Sequence, residues 1–155
     1  ASTGDADYLV GAMRQLGHLD VWRLALKPGR PFAFGRVSDT PLLCLPGNPV
    51  AVAVCALIFA EPFLAGLPGS SWPHARAFPV VADFAMNKKA GRTEYVRATL
   101  HDSERGLRVK RHAKQGSGVL MSLVESDGLI ELPEDLTELQ AGTLVDFLPF
   151  SEVLG

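Results

Sequence analysis

The sequence predicts an α/β block followed by an all-β block. Two observations carry this. Up to about residue 67, short strands alternate with two segments of helical periodicity, the rhythm of an α/β unit. From Gly66-Leu67-Pro68-Gly69-Ser70-Ser71-Trp72-Pro73 onward no helical period returns, and short strands follow one another between turn signals. The boundary falls in that Pro- and Gly-rich stretch, giving blocks over residues 1–70 and 73–155.

Residues from about Asp5 to Leu16 read as a helix, because Tyr8, Leu9, Ala12, Met13 and Leu16 fall on one face. Asp5 and Asp7 suit its first turn and Gly17 its stop. Val21 to Leu26 reads as a strand leading into the turn Lys27-Pro28-Gly29-Arg30-Pro31. Phe32 to Gly35 and Leu42 to Leu45 read as strands joined by a hairpin at Ser38-Asp39-Thr40. Pro46-Gly47-Asn48-Pro49 then opens an apolar helix to about Ala60, with Asn48 as N-cap and Pro49 at the first helical position. Apolar nearly all round, it is expected at the centre of the block.

In the second block, strands are expected over Ala77 to Phe84, Thr93 to His101, Leu107 to Arg111, Gly128 to Leu132 and Thr143 to Leu148. Their short, regular spacing predicts a small β-barrel or sandwich. The first block is thin for a doubly wound unit, and the chain has no initiating Met. Both features lead to the expectation of a further N-terminal part.

Charge narrows the function. Lys and Arg number 15 against 17 acids, a net charge of −2, which argues against general nucleic-acid binding. An anion site must then be a local concentration of cations. Cys44 and Cys55 lie in apolar runs without a CxxC pattern, reading as buried free thiols of a reducing cytosol. The four histidines lack metal-type spacing. The apolar run Val50 to Leu67 is interrupted by Glu61 and Pro62, so a buried helix is favoured over a membrane span. No signal peptide is read at the polar start.

Two loops carry the chemistry. Lys27 and Arg30 sit on a turn stiffened by prolines, so little entropy is lost when they close on an anion. Gly47 and Asn48 stand at a helix start, where anions commonly bind. Each loop alone also fits a blander reading, a solvated turn and a capped helix respectively. Asp5 and Asp7 could bind Mg²⁺ or simply favour the helix start. Lys114-Gln115-Gly116-Ser117-Gly118 is a Gly-rich loop whose N–H groups and Ser117 hydroxyl could meet a ligand, or an ordinary hairpin connection. Arg97 follows Glu94-Tyr95-Val96 in an expected strand.

With these residues in place, the chain resembles the molybdopterin molybdenumtransferase family of the MoeA type, which includes the gephyrin E domain. Ser2-Thr3-Gly4-Asp5-Ala6-Asp7-Tyr8 is similar to the end of that family's Gly-Gly-x-Ser-x-Gly-Asp/Glu-x-Asp-Tyr segment. Trp22 to Gly35 is similar to its W-K-x-x-x-K-P-G-K-P-x-x-F-G block, and Leu45-Pro46-Gly47-Asn48-Pro49-Val50 to its L-P-G-N-P-V block. Gly91-Arg92-Thr93-Glu94-Tyr95-Val96-Arg97 and Gln115-Gly116-Ser117 resemble its C-terminal barrel motifs.

The resemblance implies the last part of a molybdopterin-binding α/β domain followed by a small C-terminal β-barrel, in a dimeric, cytoplasmic enzyme. It implies adenylylated molybdopterin and molybdate as substrates, with Mg²⁺-dependent release of AMP. It assigns Asp7 to metal and pterin handling, Asp5 beside it to metal, and Lys27 and Arg30 to molybdate or the cofactor phosphate. It assigns Arg23, Pro46, Gly47, Asn48, Pro49, Arg97 and Ser117 to the substrate cleft. Three departures stand out. Arg30 replaces a common lysine, Ala51 stands where many members have serine, and the family's upstream segments are absent from this sequence. The rival readings are a molybdopterin adenylyltransferase relative, against which the β-rich second block argues, and a non-catalytic scaffold, against which the retained Asp7, Lys27, Arg30 and Arg97 argue.

Overall fold

The structure, a computed structural model, describes residues 8–67, 69 and 75–153. Helix α1 (Leu9–Leu16) ends before Gly17 as expected, while residues 5–7 of its expected start lie outside the described residues. Its buried positions are Val10 and Met13, whereas Tyr8, Leu9 and Leu16 are exposed. The expected broad face narrows because only an i, i+3 seam meets the sheet below, where Val10 and Met13 cluster with Ala33 and Cys44.

Strand β1 (Gly17–Trp22) starts immediately after the helix. The strand expected over Val21 to Leu26 is thereby displaced towards the N-terminus. It stops at Trp22 because Arg23 takes a left-handed backbone, φ 65°, which no strand continues through. Gly17 is needed for a second reason: a Cβ there would overlap the Arg36 carbonyl oxygen on the neighbouring strand. A short strand β2 (Leu26–Lys27) precedes the basic turn. Strands β3 (Ala33–Val37) and β4 (Thr40–Cys44) form the expected hairpin, turning at Ser38 with φ 53°. Together β1, β3 and β4 make an antiparallel sheet in that order.

The apolar helix runs in three pieces: α2 (Pro49–Cys55), a π turn (Ala56–Ala60) and α3 (Glu61–Gly66). The π turn lies just ahead of Pro62, which has no N–H to donate to the i−4 carbonyl. Pro49 occupies the first helical position and Asn48 the cap position, yet the Asn48 side chain makes no capping bond. By length and composition the helix is apolar enough to cross a membrane, with mean hydropathy 1.9 over 18 residues. Its burial is confined to the first two turns, at Val50, Ala51, Val54 and Cys55.

The second block follows the expected strand order. It contains β5 (Phe78–Ala82), β6 (Met86–Asn87), β7 (Thr93–Ser103), β8 (Gly106–Arg111), α4 (Met121–Val124), β9 (Gly128–Leu132), β10 (Glu138–Leu139), β11 (Leu144–Pro149) and α5 (Phe150–Val153). Pairings run β7–β8–β5–β11–β9 and return from β9 to β7, closing a five-stranded barrel. Of the two architectures the sequence allows, closure selects the barrel. Val80, Val96, Val109, Ile130, Leu132 and Phe147 fill its interior.

The two blocks are joined by more than the linker. Strand β2 adds in parallel to β7, with Leu26 opposite Thr93 and Lys27 opposite Glu94. A second apolar cluster spans both blocks, packing Leu26, Phe32, Val50 and Val54 against Tyr95, Leu129 and Leu148. This seam brings the basic turn and the start of α2 to one end of the barrel.

Candidate active site

Three loops meet at that seam: the basic turn 27–31, the turn 46–48 and the Gly-rich loop 115–117. They enclose an open cleft of about 810 Å³. The first two loops therefore converge, and the third joins them from the barrel. A backbone bond fixes the junction, Val50 N–H donating to the Ser117 carbonyl at 3.0 Å. One N–H of the helix start is thus taken by protein rather than left for a ligand.

Among the described residues, four cations line the cleft, Arg23, Lys27, Arg30 and Arg92, and no carboxylate does. On a chain of net charge −2 this is a concentrated positive surface. Arg23 is held by stacking on Trp22, its guanidinium carbon 4.2 Å from the ring centroid. In the basic turn, Pro28 and Gly29 are buried while Arg30 is exposed. The Lys27–Pro28 peptide is cis. Pro46, Gly47, Asn48, Ala51 and Ser117 line the wall. Pro49 is set in the first turn of α2, outside the wall.

Arg92 and Glu94 were not among the residues singled out for the cleft. Glu94 lies only 3% exposed. Its Oε2 accepts from Lys27 Nζ at 3.0 Å. Its Oε1 accepts from Arg92 Nε and Nη2 at 2.9 and 2.7 Å. Burial pushes its carboxyl up, but the hydrogen bonds and charges of Lys27 and Arg92 outweigh this and hold it below the ordinary range. A signal for Glu94 existed in the sequence. Strand alternation puts it on one face with Val96 and Ala98, where a lone charge demands partners.

Arg97 stands behind the cleft. It is 1% exposed, and its Nε donates to Ser122 Oγ at 3.1 Å. Its Nη2 donates to the carbonyls of Lys114 and Gly116 at 3.3 and 3.2 Å. Gln115 completes the clasp, its Nε2 donating to the Arg97 carbonyl at 2.9 Å and its Oε1 accepting from the Arg97 N–H at 3.1 Å. Burial lowers the Arg97 guanidinium from its ordinary value. The role expected for Arg97, touching the oxyanion, is not what this placement supports, because the side chain is buried with Nε on Ser122 of α4 and Nη2 on the loop that carries Ser117.

Asp5 and Asp7, the expected metal ligands, lie outside the described residues. The described residues contain no cluster of three or more His, Cys, Asp or Glu able to hold a metal ion. Glu94, bonded to the wall residues Lys27 and Arg92, has both oxygens taken by cations. The described part of the cleft suits an anion and offers no ligand set for Mg²⁺. Both cysteines are buried, Cys44 Sγ donating to Met13 Sδ at 3.2 Å, and burial pushes the Cys55 thiol up to about 12, so it is unreactive at neutral pH.

Comparison with known proteins places these features in context. Residues 1–66 match the family described as a probable molybdopterin binding domain, and residues 79–150 match the MoeA C-terminal region (domain IV). A molybdopterin molybdenumtransferase of Haemophilus influenzae is 32% identical over 156 residues, covering 99% of this chain and 39% of that protein. Molybdopterin molybdenumtransferase 2 of Mycobacterium tuberculosis is 35% identical over 143 residues, covering 90% of this chain and 33% of that protein. The crystal structure of the molybdopterin biosynthesis MoeA protein from Pyrococcus horikosii superposes with a TM-score of 0.75 at 25% identity, covering 96% of this chain and 36% of that one. The chain thus spans well under half the length of the relatives it matches.

Proposed function

Because the chain belongs to the MoeA-type molybdopterin molybdenumtransferase family, whose C-terminal portion it matches, we propose that its cleft binds molybdate and the phosphate of adenylylated molybdopterin. The complete enzyme would insert molybdenum at the dithiolene sulfurs and release AMP, acting as a cytoplasmic dimer. The observation that carries this reading is the wall of four cations, to which the described residues add no carboxylate.

Charge-assisted hydrogen bonds from Lys27, Arg30 and Arg92 suit a tetrahedral dianion, and they are the strong kind. Arg30 can present two parallel donors where a lysine presents one point charge. Ser117 adds a hydroxyl donor, and Ala51 leaves its part of the wall without one. The same cations would stabilise charge developing on a departing phosphate. Mg²⁺ would polarise that phosphoanhydride when bound. Its ligands on this chain would be Asp5 and Asp7.

Calorimetric titration with molybdate, with sulfate as control, tests the reading. Selective molybdate binding is expected. Equal binding of the two anions would overturn it. For the complete polypeptide, absence of AMP release under saturating Mg²⁺ and molybdate would remove the enzymatic reading.

A further inference from the structure

Molybdate and sulfate carry the same charge and the same tetrahedral shape, and they differ in size. A positive wall alone attracts both. Discrimination between them requires donors held at fixed separations. Lysine and arginine side chains ordinarily have large rotamer freedom and supply charge without position. Besides Arg23, which stacks on Trp22, two cations of this cleft are exceptions.

Lys27 and Arg92 come from different blocks, on either side of the parallel β2–β7 pairing. Their side chains are 47% and 33% exposed and line the cleft, while the Glu94 carboxylate between them is buried. One oxygen takes Lys27 and the other takes two N–H donors of Arg92. The Thr93 N–H donates to the Ala25 carbonyl at 2.9 Å, which fixes the backbones across the same pairing.

We propose that Glu94 is a positioning residue that clamps Lys27 and Arg92 at a set spacing on the cleft wall, and that this spacing gives the cleft its preference for the larger tetrahedral dianion. The proposal rests on the oxyanion reading above. Glu94 touches no substrate and acts through the two cations. It also removes one unit of positive charge from the wall, trading general anion affinity for discrimination.

The test is titration of molybdate and sulfate, each at low and high salt, into wild type and into Glu94→Gln and Glu94→Asp. Glu94→Gln removes the charge and releases the clamp. Sulfate binding is expected to strengthen with a steeper salt dependence, while the molybdate-over-sulfate preference falls about tenfold, the scale of one coupled polar contact. Glu94→Asp keeps the charge and withdraws it by one methylene. Its preference should fall with the salt dependence unchanged, and it carries the test if the Gln variant does not fold.

The preference is then measured in a Lys27→Met background, where replacing Glu94 should matter much less. A preference unchanged in both Glu94 variants, or an equal loss with and without Lys27, would overturn the clamp while leaving the oxyanion reading intact. A wild type that prefers neither anion would remove that reading and the clamp with it.

Discussion

Arg97 shows how a single residue can serve a site without facing it. Resemblance places it at the oxyanion, but its guanidinium is buried against Ser122 Oγ and two carbonyls of the loop bearing Ser117. Arg97→Met would remove three hydrogen bonds from a buried site, to Ser122 Oγ and to the carbonyls of Lys114 and Gly116, of which the Gly116 carbonyl would keep its bond from the Val119 N–H at 3.3 Å. A loss of about 2–4 kcal/mol in unfolding free energy is expected by urea denaturation. Arg97→Lys should restore little of it, because one ammonium cannot reproduce the planar fork. Wild-type stability in Arg97→Met together with weakened molybdate binding would return the residue to the cleft wall. The contrast with Lys27 is one of placement and not of charge. Both are cations in sequence motifs, and only the fold separates the donor that meets solvent from the one that holds a loop.

At the scale of elements, the basic turn is fitted to the first turns of the apolar helix. Gly29 has φ 127°, and a Cβ there would lie 2.6 Å from Cys55 Sγ and 2.9 Å from Leu26 Cδ2. Gly29→Ala combines backbone strain with overpacking and should destabilise by about 2–4 kcal/mol. Cys55→Ala opens the packing contact but not the dihedral, so in that background the penalty should shrink without vanishing. An equal penalty in both backgrounds, measured by thermal melts, would refute the fitted contact. Much of the element order was legible because period-2 alternation and turn residues are local signals. Strand β9 falls on the residues expected, and β7, β8 and β11 shift by a few residues at their ends. The strand expected at Val21 to Leu26 failed at Arg23, whose positive φ has no compositional mark. Parallel addition of β2 to β7 was equally invisible, since it joins Lys27 to Glu94 across 67 positions of sequence. For the site, the two loops and Ser117 were readable as motifs. The pairing that holds the cleft cations was not, because it exists only once the blocks have met.

For the molecule as a whole, that meeting has an acid-sensitive element. The shared apolar cluster joins the two blocks, and Glu94 adds the polar link beside it. Its carboxyl lies below its ordinary value of 4.5 in the folded state, because Lys27 and Arg92 favour the ionised form by more than burial opposes it. The sign follows from linkage. A group whose pKa is depressed on folding stabilises the native state fully above its unfolded value, and this contribution is lost as pH falls through the lower folded value. Wild type should therefore exceed Glu94→Gln in denaturation midpoint by a constant margin at neutral pH and down to about pH 5.5. Below 4.5, where the unfolded carboxyl protonates first, the margin should narrow steadily. The neutral amide mimics the protonated acid, so the two curves approach each other from that side. Barrel strands carry their own closed hydrogen-bonded ring, so the narrowing should accompany loss of the seam between blocks. With Trp72 replaced by Phe, tryptophan fluorescence reports on that side, since the guanidinium groups of Arg14 and Arg23 both stack on Trp22. A margin that stays constant through pH 3.5–7 would mean that the ion triad contributes nothing to holding the blocks together, leaving the apolar cluster to do so alone.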